Sequence, residues 1–429
     1  MNLDPDTGPT GSAPKRGAAM GFIMLTVLID MVSIGLIIPV LPQIVAVFTH
    51  SRSEQVAAYR MVSMAFAFAN FVGAPVLGAL SDRFGRRPVL LCGFAGLATS
   101  FFVTGLATQY WQLIAVRLFS GAVQANAAIA NAYVADITPP EERGRRYGLL
   151  GAMFGLGFIL GPVSGGLLGA IDIHLPFFVA GALAVCNFAY GYFVLPESLP
   201  RERRRAFDWG KANPVGSLMH LFELRGIGAL LLVIALSSLA QFMLHSTWAL
   251  YTQLKFGWGP REIGLSLLAV GAMSVLGQGV LAGPLTKRFG APRLLMAGMV
   301  SSALCYFAWG AAGQGWELYL AIFLNVVGFA SAAAGQTVIS NAADPNSQGR
   351  TMGAVTGLSS LMMAIAPVIG PLLLEQVADH PQGDWRIGAP YFLGGALLLA
   401  SAAIAAVHFA RAGRAVVAAP ADPAAPGSA

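Results

Sequence analysis

Two ionisable side chains lie inside stretches that are otherwise apolar: Asp30 in LIDMVSIGLIIPVLP, Leu28 to Pro42, and Arg117 in VRLFSG. A helix entering hydrocarbon near residue 19 carries Asp30 roughly 11 residues along, about 16 Å at 1.5 Å per residue, close to the bilayer midplane. A carboxylate there is costly, and desolvation favours the neutral acid, so the group can take up and release a proton as its access to water changes. The plainer reading is a neutral acid hydrogen-bonded between helices. Arg117 cannot shed its charge and needs a carboxylate, water or backbone carbonyls. Asp30 is the obvious candidate, and a pair that forms and breaks as helices rock would couple proton binding to movement; otherwise Arg117 is a structural strut.

The elements that must position these groups are membrane spans. Of 429 residues, 56% are hydrophobic and 11% charged, with a mean hydropathy of +0.67, against roughly 25% charged in a soluble domain. A span needs about 20 apolar residues. Twelve segments qualify: 19–47, 56–80, 88–108, 111–136, 147–170 and 176–196, then 226–251, 262–285, 292–312, 316–341, 351–376 and 388–409. The expected organisation is an all-α membrane protein with a disordered tail over 1–17, a six-helix bundle over 18–196, a charged linker over 197–225 containing RERRR, a second bundle over 226–410, and a tail over 411–429. Placing both termini on one side puts 20 of the 26 Lys and Arg there, which makes that side cytoplasmic.

The net charge of +6 belongs to loops between spans and gives no reason to expect nucleic acid. The three cysteines fall in apolar runs and imply no disulfide framework. The six histidines are scattered without metal or nucleophile spacing, which argues against an enzyme. No GxxxxGK[ST] pattern points to ATP, and no acidic rings point to a channel.

The chain also repeats itself. GALSDRFGRRP, Gly78 to Pro88, returns as GPLTKRFGAPR, Gly283 to Arg293, at an offset of 205 residues. GRRYG at Gly144 and GRTMG at Gly349 share that offset, as do Pro162 and Pro367. Two independent markers at one spacing indicate duplicated halves.

Twelve spans in two parallel six-helix repeats, joined by a basic loop, resemble the major facilitator superfamily over nearly the whole chain. The turn at Gly78 to Pro88 matches that family's signature almost residue for residue. The resemblance implies a cytoplasmic gate of Asp82, Arg83, Gly85, Arg86 and Arg87, with Asp82 facing the N-terminus of span eleven, a contact typically of ~0.3 to 1 kcal/mol. Lys287 replaces the acid in the second copy.

LIDMVSIGLIIPVLP resembles the span-one motif of the drug/proton antiporters, and Arg117 the arginine that the family links to proton transfer, which implies proton coupling through Asp30 and Arg117. GLGFILGPVSGGLLG, Gly155 to Gly169, resembles the antiporter motif, with Gly157, Gly161, Gly165 and Gly166 permitting close helix approach and Pro162 kinking the helix.

The fit is best to the tetracycline/proton antiporter branch, through IGLIIPVLP, SDRFGRRPVLL, FGW at Phe256 and Gln278. That branch's acids in spans three and nine fall here on Ser100 and Val300, and its span-eight histidine on Ser274, so coupling would rest on Asp30 and Arg117. The resemblance implies proton-coupled efflux of an amphiphilic, tetracycline-like or broader compound from a bacterial cytoplasmic membrane. Export of a metabolite or sugar is the alternative, no cofactor beyond protons is expected, and a monomer is the default for such a fold.

The fold it implies has its pocket between the halves. Candidate lining residues are Asn70, Gln124, Asn126, Tyr133, Gln241, His245, Trp248, Gln278, Asn325 and Gln336, any one of which could equally hold helices together.

Overall fold

A computed structural model describes residues 13–207, 228–342 and 348–418, which are helical with no strand among the described residues. Among the described residues eleven helices are long and apolar enough to cross a bilayer, and a pair bent by 48°, Gly315–Leu324 with Val326–Gly335, makes twelve if counted as one span. The chain divides into two units, Met1–Gly216 with Gly257–Gly271, and Ser217–Phe256 with Ala272–Ala429.

Unit 1 comprises α1 (Ala13–Ile37), α2 (Leu41–Ala46), α3 (Arg52–Phe84), α4 (Arg86–Gly105), α5 (Tyr110–Val123), α6 (Asn126–Ile137), α7 (Arg143–Gly169) and α8 (Leu175–Phe193). In it α1 packs on α7 and α8, α3 on α5, and α4 on α8. The core is apolar, with Ile23, Val27, Leu90, Phe94, Ile129, Tyr133 and Leu150 buried together. It also holds α10 (Pro260–Ser274) as far as Gly271, and there Gly166 of α7 lies against the Pro260 carbonyl and the Gly264 Cα, a close approach that the two glycines permit.

Unit 2 comprises α9 (Gly228–Phe256), a π-helical segment Val275–Leu281, α11 (Ala282–Phe289), α12 (Ala291–Ala311), α13 (Gly315–Leu324), α14 (Val326–Ala342), α15 (Gln348–Glu375) and α16 (Ala389–Ala418). Its packing repeats that of unit 1 at corresponding positions: α9 on α15 and α16, α14 on the π segment, and α12 on α16. The duplication is visible even in the backbone, since Gly85 and Gly290 both take positive φ, 109° and 80°, at the two corresponding turns. Only glycine adopts that region without strain.

The spans depart from the expected ones in particular ways. Span one stops at Ile37 because Pro39 lacks an amide hydrogen and biases Ile38 away from helical geometry; the chain resumes as α2. Span four breaks at Gln124 and Ala125, and span ten at Asn325. Helix begins at Ala13 and continues to Ala418, inside both expected tails. Residues 1–12, 419–429 and, in the linker, 208–225 lie outside the described residues.

Candidate functional site

Asp30 is buried in unit 1 at 4% exposure. Its carboxyl accepts a hydrogen bond from Asn126 Nδ2 at 3.0 Å. The break in span four makes this contact possible. Asn126 is the first residue of α6, and Ala127 and Ala130 of the same first turns border the small cavity that Asp30 enters. A helix N-terminus carries partial positive charge and unpaired amide hydrogens. The carboxylate thus has a donor and a favourable dipole beside it, while the neutral acid suits the apolar wall of Val27, Leu90 and Phe94. Both protonation states are accommodated at one place.

The break itself is held by Asn70, whose Nδ2 on α3 donates to the carbonyls of Gln124 at 2.5 Å and Gly121 at 3.4 Å. In hydrocarbon, carbonyls released from a helix must find donors inside the protein. Gly93 on α4 is needed alongside, because a Cβ there would run into Asn126 Oδ1.

Arg117 is also buried, at 8% exposure, but it does not meet Asp30. It lies on α5, within electrostatic reach of Tyr59 on α3, and its Nη2 has no hydrogen-bond partner among the described residues. The helix pairing explains this: α5 packs on α3 and α4, whereas α1 packs on α7, α8 and α6. The Asp30–Arg117 pair anticipated from complementary charge is therefore not formed in this conformation, and Asn126 takes its place.

Four of the five turn residues, Asp82, Gly85, Arg86 and Arg87, meet one another or residues from outside the turn, namely Asp136, Tyr192 and Glu197. Arg86 pairs with Asp82 at 2.5 Å and Asp136 at 3.1 Å, and donates to Ser81 Oγ at 2.6 Å. The carboxylate of Glu197, just past α8, accepts from the Arg86 and Arg87 amides at 2.9 and 3.3 Å and so caps α4. Ser198 Oγ donates to Asp136 at 3.1 Å. Arg87 donates to the Tyr192 carbonyl, and Arg83 stacks over Phe84. A side chain at Gly85 would strike the Glu197 carboxylate. The contact expected between Asp82 and span eleven falls on residues 348–354, whose side chains lie outside the described ones.

A hydrogen bond to a charged group contributes about 1.5 to 3 kcal/mol. Glu197→Ala should therefore lower the thermal unfolding midpoint of the purified protein. A midpoint equal to wild type would show that α4 does not depend on this cap.

Gly157, Gly161 and Gly165 of span five form the seam of α7 with α1, whereas Gly166 faces α10. Gly157 lies against Met31, Gly161 against Gly35 and the Val32 carbonyl, and Gly165 against the Leu36 backbone. The helix runs through Pro162 without interruption.

The candidate lining residues scatter. Asn70, Gln124 and Asn126 serve the break in span four. Tyr133 is fully buried and donates to the Pro196 carbonyl at 2.8 Å, so it belongs to the core. Asn325 sits at the bend of span ten, accepting from Ser301 and Ser302 at 3.1 and 3.4 Å. Trp248 is buried among Tyr251, Trp309 and Tyr391. Gln241, His245 and Gln278 are exposed on unit 2, the last on the π segment. The side chain of Gln336 lies outside the described residues.

The family model described as Major Facilitator Superfamily matches residues 23–278 and again 230–427. The class C tetracycline resistance protein of Escherichia coli is 37% identical over 390 residues, covering 90% of this chain and 96% of that protein. The class G tetracycline resistance protein of Vibrio anguillarum is 34% identical, covering 88% and 94%. Among solved structures, a D-xylose-proton symporter superposes with a TM-score of 0.71 at 18% identity over 91% of this chain and 97% of that one, a likeness of fold. Each half answers to the same family model, as each unit repeats the same helix pairing, and the protein is thus a multi-pass integral membrane protein belonging to the major facilitator superfamily.

Proposed function

We propose that the chain exports an amphiphilic organic compound in exchange for protons by alternating access, with tetracyclines the first substrates to test. The observation that carries this reading is Asp30, the single buried carboxylate among the described residues, set beside a helix start inside a span. The likeness to tetracycline resistance proteins supports the substrate class. Asp30 is loaded from the side of higher proton activity and unloaded on the other as the bundle changes its access to water. Arg117 contributes a fixed positive charge, which favours release of the proton in any conformation that brings it nearer. The reading includes no chemical transformation and no resident cofactor, and places both termini on the cytoplasmic side of a bacterial inner membrane.

The test is a susceptibility panel in an efflux-deficient host expressing the full chain. Tetracycline resistance should rise and collapse on adding a proton uncoupler. Susceptibility unchanged across tetracyclines and other amphiphilic drugs would overturn the reading.

On this reading the Asp82 turn closes the cytoplasmic mouth. The Asp82–Arg86 pair has an Asp side chain 44% exposed and contributes only about 0.2 to 1 kcal/mol. Asp82→Asn should accordingly leave unfolding almost unchanged yet raise cysteine labelling at the mouth. Equal labelling would remove the gating role.

A further inference from the structure

Beside Asp30 lies a cavity with about 10 Å³ available to the centre of a water molecule, at the lower limit for holding one. Most of its wall is apolar, including Phe94 and Phe154, but three polar groups converge on it: the Asp30 carboxyl, Thr26 and Asn126. Thr26 stands one turn before Asp30 on α1 and is 1% exposed; Asn126 is 4% exposed. Thr26 Oγ1 and Asn126 Oδ1 both lack a hydrogen-bond partner in the protein. Neither can reach bulk water, and an unsatisfied buried polar atom is costly. Flipping the Asn126 amide does not help, because its Nδ2 is already given to Asp30 at 3.0 Å.

We propose that this cavity is a binding site for one water molecule that bridges Thr26 Oγ1, Asn126 Oδ1 and the Asp30 carboxyl. A single water there meets the two to four polar partners that a buried water requires. It also gives Asp30 a neighbour able to change role: the water donates to the carboxylate and accepts from the neutral acid, where Asn126 Nδ2 can only donate. Thr26 and Asn126 are then positioning residues for the carboxyl, a significance that rests on the coupling reading, although the water site itself does not.

The experiment is a high-resolution electron cryomicroscopy map of the full chain in lipid nanodiscs, compared with maps of Thr26→Val and Thr26→Ser. Wild type and Thr26→Ser should show a density peak within hydrogen-bond distance of all three groups, and Thr26→Val should lose it. A wild-type map without the peak, or a Thr26→Val map that keeps it, overturns the site. Infrared difference spectra across a pH step provide a second reading. The carboxyl stretch that disappears in Asp30→Asn should move to higher frequency in Thr26→Val and return in Thr26→Ser, and an unmoved band in Thr26→Val overturns the bridge. If the peak is present but the chain confers no proton-driven export, the site stands and the coupling reading falls.

Discussion

Asp30→Asn should reduce proton-driven export to the level of membranes lacking the protein, while the variant inserts and unfolds like wild type. The substitution keeps the shape of the side chain and an oxygen that can accept from Asn126 Nδ2, so the contact at 3.0 Å between α1 and α6 has no reason to fail. What is lost is the ability to carry a proton, and no other buried carboxylate among the described residues can substitute. Everted membrane vesicles with an imposed pH gradient measure this directly, through substrate uptake and through proton release on adding substrate. Folding is checked separately by thermal unfolding in detergent. Normal gradient-driven uptake by a folded Asp30→Asn variant would show that the coupling group lies elsewhere.

The spans and the duplication are legible in the sequence because each rests on a local or one-dimensional signal. Hydrocarbon thickness sets the length of an apolar run, and the common offset of the two glycine-rich turns is independent of how helices pack. The partner of Asp30 is not legible. Asn126 lies 96 residues away, and choosing it over Arg117 requires knowing that α1 neighbours α6 while α5 neighbours α3. Charge complementarity favours Arg117, but neighbourhood decides for an amide.

The polar residues inside spans carry a similar lesson. Asn70, Gln124, Asn126 and Asn325 are candidates for lining a pocket by residue type, yet they gather at two helix breaks. An asparagine in hydrocarbon answers a demand for hydrogen bonds, and the sequence does not say whether a ligand or an interrupted backbone makes it. No proline marks either break. Of the turn, Gly85 and its arginines are readable, whereas Asp136 and Glu197 join them only once the ends of α6 and α8 are brought to the start of α4.

Gly161→Ala should impair export and stability together, and more severely than its size suggests. A Cβ at Gly161 would come within 2.6 Å of Gly35 Cα and 2.8 Å of the Val32 carbonyl oxygen. Both neighbours are backbone, so no rotamer change relieves the clash and α1 must move as a whole. Overpacking of this kind costs about 1 to 3 kcal/mol. The displaced helix also carries Thr26 and Asp30, so the alignment with Asn126 is disturbed at the same time.

Gly155→Ala on the same helix is the control, since a Cβ added there would have nothing within 4 Å of it and alanine favours a helix over glycine by about 0.5 to 1 kcal/mol. Measured as unfolding midpoint and gradient-driven export, Gly161→Ala should fall in both while Gly155→Ala stays level or gains stability. Equal behaviour of the two variants would mean that the seam with α1 does not set the position of the buried carboxyl. A difference of the expected sign would separate the glycines of span five that hold Asp30 in register from those that merely line the helix.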